Sequence, residues 1–97
     1  MTYWFIKKEE FFKVMKYYVY LLKCIDNTLY TGITTDLQRR LKEHNSSSKG
    51  AKYTKNRRPV SLEYYEEYAD RSSASKREAA IKKLSRKEKL LLIEAVS

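Results

Sequence analysis

Two side chains four residues apart, Arg40 and His44, share one edge of a predicted amphipathic helix. At 100° per residue, with Leu37 set at 0°, Arg40 lies at about −60°, His44 at about −20° and Arg39 at about −160°. Histidine transfers protons near neutral pH, and arginine stabilises charge on a phosphate. The pair therefore suggests acid–base chemistry in a cleft beside a sheet. The alternative is an arginine whose stem packs on apolar surface beside a boundary histidine.

A carboxylate interrupts the apolar face of a later predicted helix. With Ala74 at 0°, Ile81 lies at about −20° and Glu78 at about +40°. An unpaired charge is costly to bury, so Glu78 at that position requires a cationic partner or a metal ion. The alternative is a cap, because Ser75 and Glu78 have the spacing of a capping box.

A polar loop between the two helices concentrates positive charge around one aromatic ring. The chain has a formal net charge of +9, which favours a polyanionic partner, nucleic acid before membrane. Interleaved cations and an aromatic ring suit phosphate contacts and base stacking, although a solvated charged loop is the plainer alternative. The candidate nucleic-acid-binding residues are Lys49, Lys52, Tyr53, Lys55, Arg57 and Arg58.

Length and composition limit the class of protein. The chain has 97 residues, enough for one small domain with one modest core. No apolar run approaches the roughly 18 residues of a membrane span. The single cysteine, Cys24, cannot form an internal disulfide, which fits a reducing cytoplasm.

The predicted elements that hold these residues have the order β-β-α-β-α-α. Residues 1–14 are predicted to be an N-terminal extension, and residues 15–97 the patterned domain. A small three-stranded antiparallel sheet flanked by helices, an α+β fold, is expected. The predicted strands cover 17–24, 29–33 and 60–68, and the predicted helices end near residues 45, 84 and 95.

Capping signals place the helix starts. Thr35 has capping-box spacing with Gln38, so the first helix is predicted to begin there. Asp70 and the serines that follow it offer caps for the second helix. Ser85 and Glu88 form another capping box, which predicts a break and a third helix.

The ordered motifs together resemble the GIY-YIG nuclease superfamily, over roughly residues 16–92. The first motif appears as Tyr18-Val19-Tyr20 and the second as Tyr30-Thr31-Gly32. The family's helical arginine, the histidine one turn later and the metal-binding glutamate fall on Arg40, His44 and Glu78. The segments "GAKYT", "RRP" and "REAAIKKLSRKEK" are similar to the small, single-domain bacterial branch, whose cellular role is unassigned.

The resemblance implies divalent-metal-dependent hydrolysis of a nucleic-acid phosphodiester, with DNA favoured over RNA and the choice between them left open. Tyr20 or Tyr30 would activate water, with His44 as a relay. Glu78 would hold Mg²⁺, or Mn²⁺ in its place, and Arg40 would neutralise charge developing on phosphorus. Gly32 would let the backbone pass close to the substrate or to the following helix.

A shared site for the two tyrosines sets a condition on the hairpin, because directly opposed residues share a face. A two-residue Asp26-Asn27 turn would place Tyr20 and Tyr30 on opposite faces. A loop with an odd number of residues, or a bulge, would place them on the same face.

Two positions depart from the family pattern. Tyr18 replaces the first glycine, and Leu90 stands where many members carry an asparagine. The missing asparagine favours an alternative function, a non-catalytic nucleic-acid-binding module on the same scaffold. A third hypothesis is an interaction domain whose partner supplies specificity.

Overall fold

The computed structural model describes residues 16–96. The predicted extension at 1–14 and the domain boundary at Met15 therefore lie outside the described residues. Within them, none of the helices is long and apolar enough to cross a bilayer.

Three antiparallel strands form one sheet in the order β2-β1-β3. The strands are β1 (Tyr17–Lys23), β2 (Leu29–Thr34) and β3 (Ser61–Tyr68), and the helices are α1 (Leu37–Ser46), α2 (Lys52–Lys55), α3 (Arg71–Lys82) and α4 (Arg86–Ala95). The predicted α+β fold and its order of main elements are confirmed. The sequence does not predict the one-turn helix α2, because it lies in a polar loop without apolar periodicity.

The central strand β1 is buried on both faces. On one face, Val19 and Leu21 form a core cluster with Ala74 and Ile81 of α3. On the other face Tyr20 and Leu22 belong to a second cluster, against which Leu37 and Leu41 of α1 pack. Burial of these apolar side chains holds α1 and α3 against opposite faces of the sheet.

The β1–β2 hairpin meets the condition for a shared tyrosine site. Tyr20 pairs with Gly32, and Leu22 pairs with Tyr30, so both tyrosines point to the same face. The Cys24 amide donates to the Thr28 carbonyl at 2.9 Å. Between these two residues lies a loop of three, ending at Asn27 with a φ of 67°. A loop with its last residue in the left-handed region is a common hairpin connection of odd length.

The observed N-caps of the helices agree with the predicted ones at α3 and α4 and differ by one residue at α1. Asp70 caps α3 by accepting from the Ser73 amide, and Ser85 with Glu88 forms the predicted capping box of α4. The predicted start of α1 lies one residue too early, because the carboxylate of Asp36, not the hydroxyl of Thr35, accepts from the Arg39 amide.

The capping interpretation of Glu78 is wrong. Since α3 begins at Arg71 with Asp70 as its N-cap, Glu78 lies in the interior of the helix. A cap at Ser75 would require a start several residues later.

Candidate active site

A chain of hydrogen bonds links β1 to the loop after α1. Tyr20 Oη lies 2.9 Å from His44 Nε2, and His44 Nδ1 lies 2.8 Å from Thr54 Oγ1. Both His44 and Thr54 are fully buried. The Thr54 hydroxyl donates to the Ala51 carbonyl at 2.9 Å.

That last bond assigns the histidine tautomer. The Thr54 hydroxyl hydrogen is engaged by Ala51, so Thr54 Oγ1 accepts from His44 Nδ1–H. His44 Nε2 then carries no hydrogen and accepts from the Tyr20 hydroxyl. The Ala51 amide also points at His44 Nδ1, at 3.4 Å, but the Thr54 contact at 2.8 Å is much the shorter and sets the tautomer.

Gly32 makes room for the Tyr20 ring. A methyl group at residue 32 would lie within 3.0 Å of Tyr20 Cε2, Cζ and Oη. The phenol of Tyr20 therefore rests directly on the Gly32 backbone of the neighbouring strand. The close approach that the sequence suggests for this glycine is an approach by the Tyr20 side chain, not by the helix that follows.

The second glycine of the chain, Gly50, brings the loop onto α1. A methyl group there would lie 2.7 Å from the Glu43 carbonyl oxygen and 3.0 Å from His44 Cα. The chain turns at this point and enters α2, which delivers Thr54 to the histidine ring.

Arg40 lies beside the phenol, and Arg39 does not. The Arg40 side chain is 26% exposed and donates to the Glu43 carboxylate at 3.0 Å and to the Lys49 carbonyl at 2.8 Å. Its guanidinium lowers the pKa of Tyr20, whereas Arg39 is exposed on the far side of α1. The helical spacing predicts this difference.

The titration properties of the pair agree with the direction of the hydrogen bond. Burial raises the pKa of Tyr20 from 10.0 to about 12, against the opposing effect of Arg40. Burial also lowers the pKa of His44 from 6.5 to about 4, and the Arg40 charge lowers it further. At neutral pH the shared proton therefore resides on Tyr20, and His44 is a neutral acceptor.

Glu78 lies on α3 and is linked to this site by its charge. Its side chain is 19% exposed, and it pairs with Lys82 at 3.4 Å. The Glu78 charge is one of those that raise the pKa of Tyr20. Among the described residues, no three acidic, histidine or cysteine side chains cluster as a metal-binding group. A single carboxylate does fit Mg²⁺, which is often held by one or two carboxylates together with water and substrate phosphate.

Tyr30 contributes its ring. Its centroid lies 6.5 Å from that of Tyr20 and 5.2 Å from that of His44. On its other side it stacks on Tyr53 at 5.9 Å, with 26° between the planes. The two motif tyrosines therefore enclose His44 together, but the hydrogen bond to the histidine comes from Tyr20.

The two arginines of the basic loop are engaged within the protein. Arg57 pairs with Asp26 at 3.1 Å and donates to the Tyr53 carbonyl at 2.8 Å. Arg58 donates to the carbonyl oxygens of the last turn of α1, at His44, Glu43 and Ser47. The predicted nucleic-acid role of Arg58 remains a prediction; in this structure its guanidinium caps α1 and fixes the backbone of His44.

The lysines of the loop are free for an anionic partner. Lys49, Lys52 and Lys55 are exposed, and no ion pair within residues 16–96 involves them. They form an unpaired positive surface next to Tyr53, which is 38% exposed.

Sequence reasoning missed Thr54 and Asp26. Each acts through a residue distant in sequence: Thr54 orients a histidine ten residues earlier, and Asp26 pairs with an arginine 31 residues later. The loop pattern carries no signal for either contact. The only available hint for Asp26 is its place among the turn-forming residues of the hairpin.

Known proteins are similar to this chain in sequence and in fold. A family profile described as the GIY-YIG catalytic domain matches residues 16–90. The chain is 60% identical to a UPF0213 protein of Desulfotalea psychrophila over 79 residues, which are 81% of this chain and 72% of that protein. It is 58% identical to a UPF0213 protein of Syntrophus aciditrophicus over 79 residues, 81% and 91% of the two chains.

Two solved structures resemble this one. The solution NMR structure of a UPF0213 protein from Bacillus halodurans has a TM-score of 0.55 at 43% identity, over 84% of this chain and 85% of that chain. The solution NMR structure of a protein from E. faecalis has a TM-score of 0.58 at 45% identity, over the same shares of the two chains.

Proposed function

Since this chain belongs to the GIY-YIG catalytic-domain family, we propose that it is a metal-dependent endonuclease that hydrolyses phosphodiester bonds of nucleic acid, DNA in preference to RNA. The observation that carries the proposal is the buried hydrogen-bond chain from Tyr20 through His44 to Thr54. It joins a phenol of the first motif to a neutral proton acceptor in a fixed tautomer.

In this proposal Tyr20 is the base that activates the attacking water, and Tyr30 packs the site. As Tyr20 takes a proton from water, its own proton passes to His44 Nε2. Thr54 holds the imidazole in the tautomer that accepts there. The high pKa of Tyr20 and the low pKa of His44 both oppose this step in the unliganded chain. A cation bound at Glu78 would neutralise its carboxylate and so remove one of the charges that raise the pKa of Tyr20.

Arg40 and Glu78 act on the phosphate side of the reaction. A Mg²⁺ or Mn²⁺ ion held by Glu78 would polarise the phosphate and stabilise the leaving oxygen. The Arg40 guanidinium, already beside the phenol, stabilises negative charge that develops on the phosphoryl oxygens. Its partner Glu43 and the Lys49 carbonyl hold its planar group in place.

The exposed lysines of the loop provide non-specific affinity for the phosphate backbone. Net charge supports the same partner, and a cytoplasmic location belongs to the proposal. The buried free Cys24 suits a reducing compartment.

A nicking assay tests the proposal. Branched, single-stranded and duplex substrates of DNA and RNA are incubated with the protein, with and without Mg²⁺ or Mn²⁺. We expect metal-dependent cleavage, loss of cleavage in Tyr20→Phe and a smaller effect in Tyr30→Phe, with melting as the control for folding. Wild-type rates in a folded Tyr20→Phe variant would exclude Tyr20 as the base.

The second candidate is a non-catalytic nucleic-acid-binding module. Two observations favour it: Leu90 replaces the polar residue of many family members, and the pKa of Tyr20 lies well above neutral. This function predicts salt-dependent binding to nucleic acid without cleavage under any metal condition. Binding to neither DNA nor RNA would leave the third hypothesis, an interaction domain.

A further inference from the structure

Three planar groups form a continuous stack that runs from the loop to the candidate site. The Arg57 guanidinium carbon lies 3.9 Å from the centroid of the Tyr53 ring. Tyr53 stacks on Tyr30 at 5.9 Å, and Tyr30 lies 5.2 Å from the His44 ring. The stack therefore begins at a partly exposed guanidinium and ends against the histidine that accepts the Tyr20 hydrogen bond.

Hydrogen bonds within the protein hold the stack in place without a ligand. Arg57 Nε donates to Asp26 at 3.1 Å, Nη1 donates to the Tyr53 carbonyl at 2.8 Å, and the Arg57 carbonyl accepts from the Ile25 amide at 3.0 Å. The hairpin loop and the end of α2 thus fix the plane of the guanidinium from two sides. A preorganised surface loses little conformational freedom on binding.

This arrangement suits a nucleobase better than a phosphate. The Asp26 carboxylate offsets the charge of Arg57 and accepts the hydrogen bond from Nε. The guanidinium is therefore poorly placed to donate two parallel hydrogen bonds to an anion. A guanidinium plane backed by an aromatic ring is a good stacking surface for a base. The three lysines nearby remain available for phosphates.

We propose that the stack of Arg57, Tyr53 and Tyr30 is a platform for one unpaired nucleobase, and that the substrate class is therefore single-stranded or locally unpaired nucleic acid. This inference rests on the proposed function. Bases within an intact duplex have both faces covered by their neighbours, so they cannot stack on a protein side chain without leaving the helix. About a third of the Arg57 side chain is exposed, at 35%, and Tyr53 is 38% exposed, so a base can reach this end of the stack.

The plainer role for these contacts is to pin the hairpin loop to α2. Both roles predict that loss of Arg57 lowers stability. Only the platform predicts that affinity depends on the presence of a base in the ligand, and that comparison uses the wild-type protein.

The first test measures binding of the wild-type chain to three ligands of equal charge: a short single strand, the same strand with one abasic site at its centre, and a duplex of half the length. A strand carrying 2-aminopurine in place of the central base reports stacking by loss of its fluorescence. We expect binding weaker by about tenfold for the abasic strand, as for loss of one base–aromatic stack, and quenching with the labelled strand.

Matched variants locate the stack. Arg57→Lys keeps the positive charge but removes the planar guanidinium, and Tyr53→Leu removes the aromatic ring. As a control, Lys55→Ala removes an exposed cation from α2, the helix that carries Tyr53. The two stack variants should lose the quenching and the preference for the intact strand over the abasic one. Lys55→Ala should keep both and lose only salt-dependent affinity.

Three outcomes would overturn the inference: equal affinity for the intact and abasic strands, duplex affinity equal to that of the single strand, or unaltered quenching in a folded Arg57→Lys variant. Each leaves the proposed nuclease function standing. Failure to bind any nucleic acid would instead remove the proposed function itself.

Discussion

His44 provides a direct test of the candidate site, because it is the only histidine of the chain. Burial and the Arg40 charge lower its pKa from 6.5 to about 4 in the folded protein. Between these pH values the unfolded chain binds a proton that the folded chain does not. At about 1.4 kcal/mol per pH unit, the interval from 6.5 to about 4 corresponds to about 3 kcal/mol of unfolding free energy.

The sign follows from the lowered pKa. The contribution of His44 is fully present above pH 6.5 and is lost as the pH falls towards about 4. The free energy of unfolding of the wild type and of His44→Gln, measured with denaturant at several pH values across this interval, isolates the contribution of His44. Carboxylates that do not interact with His44 titrate equally in both chains, so the difference between the two curves should fall by about 3 kcal/mol from pH 6.5 to about 4.

Nitrogen NMR tests the same assignment without a mutation. Long-range proton–nitrogen correlations of the single imidazole should show a neutral ring protonated at Nδ1 throughout the neutral range. Three results would refute a hydrogen bond that runs from the Tyr20 hydroxyl to His44 Nε2: a His44 pKa at its ordinary value of 6.5, a proton on Nε2, or parallel stability curves for wild type and His44→Gln.

Three further predictions concern the proposed reaction and its binding surface. Glu78→Gln should keep the fold and nucleic-acid binding but abolish metal-dependent cleavage, since an amide lacks the charge that a hard cation requires; cleavage at the wild-type rate would exclude the metal-ligand role. Arg40→Ala should lower the rate by roughly 10²–10³-fold with little rescue by lysine, whereas Arg39→Ala should cost little, as kinetics and melting of both variants will show. Neutralising Lys49, Lys52 and Lys55 together should flatten the log–log salt dependence of binding by about 0.9 per lost duplex phosphate contact, and an unaltered slope would place the surface elsewhere.

Local patterns predict the parts of the site that depend on local geometry. The 100° spacing of α1 separates Arg40 from Arg39, and the structure has one partly buried and the other exposed. Because side chains alternate along a strand, Tyr20 and Tyr30 must lie either on the same face of the hairpin or on opposite faces. The three-residue loop, with Asn27 in the left-handed region, places them on the same face. Each prediction needs only neighbours within a few residues.

Contacts between distant segments are beyond the sequence. The pattern assigns Arg58 to nucleic acid, because a cation in a polar loop carries no sign of the helix end that it caps. Thr54 is buried in a stretch whose composition is typical of a basic loop, because the reason for its burial is a histidine on another element. Thr54 and Arg58 form these contacts only because the folded loop packs against α1.

The hydrogen-bond chain through His44 has an end inside the protein. Thr54 donates to the carbonyl of Ala51, and a carbonyl has no proton to pass on. The chain can therefore store one proton but cannot conduct it to solvent. In the proposed reaction, each proton that His44 accepts must leave through Tyr20, by the same atom through which it arrived. The site would then have to be reset after every cleavage, and that step would belong to the turnover of the enzyme as much as the cleavage itself.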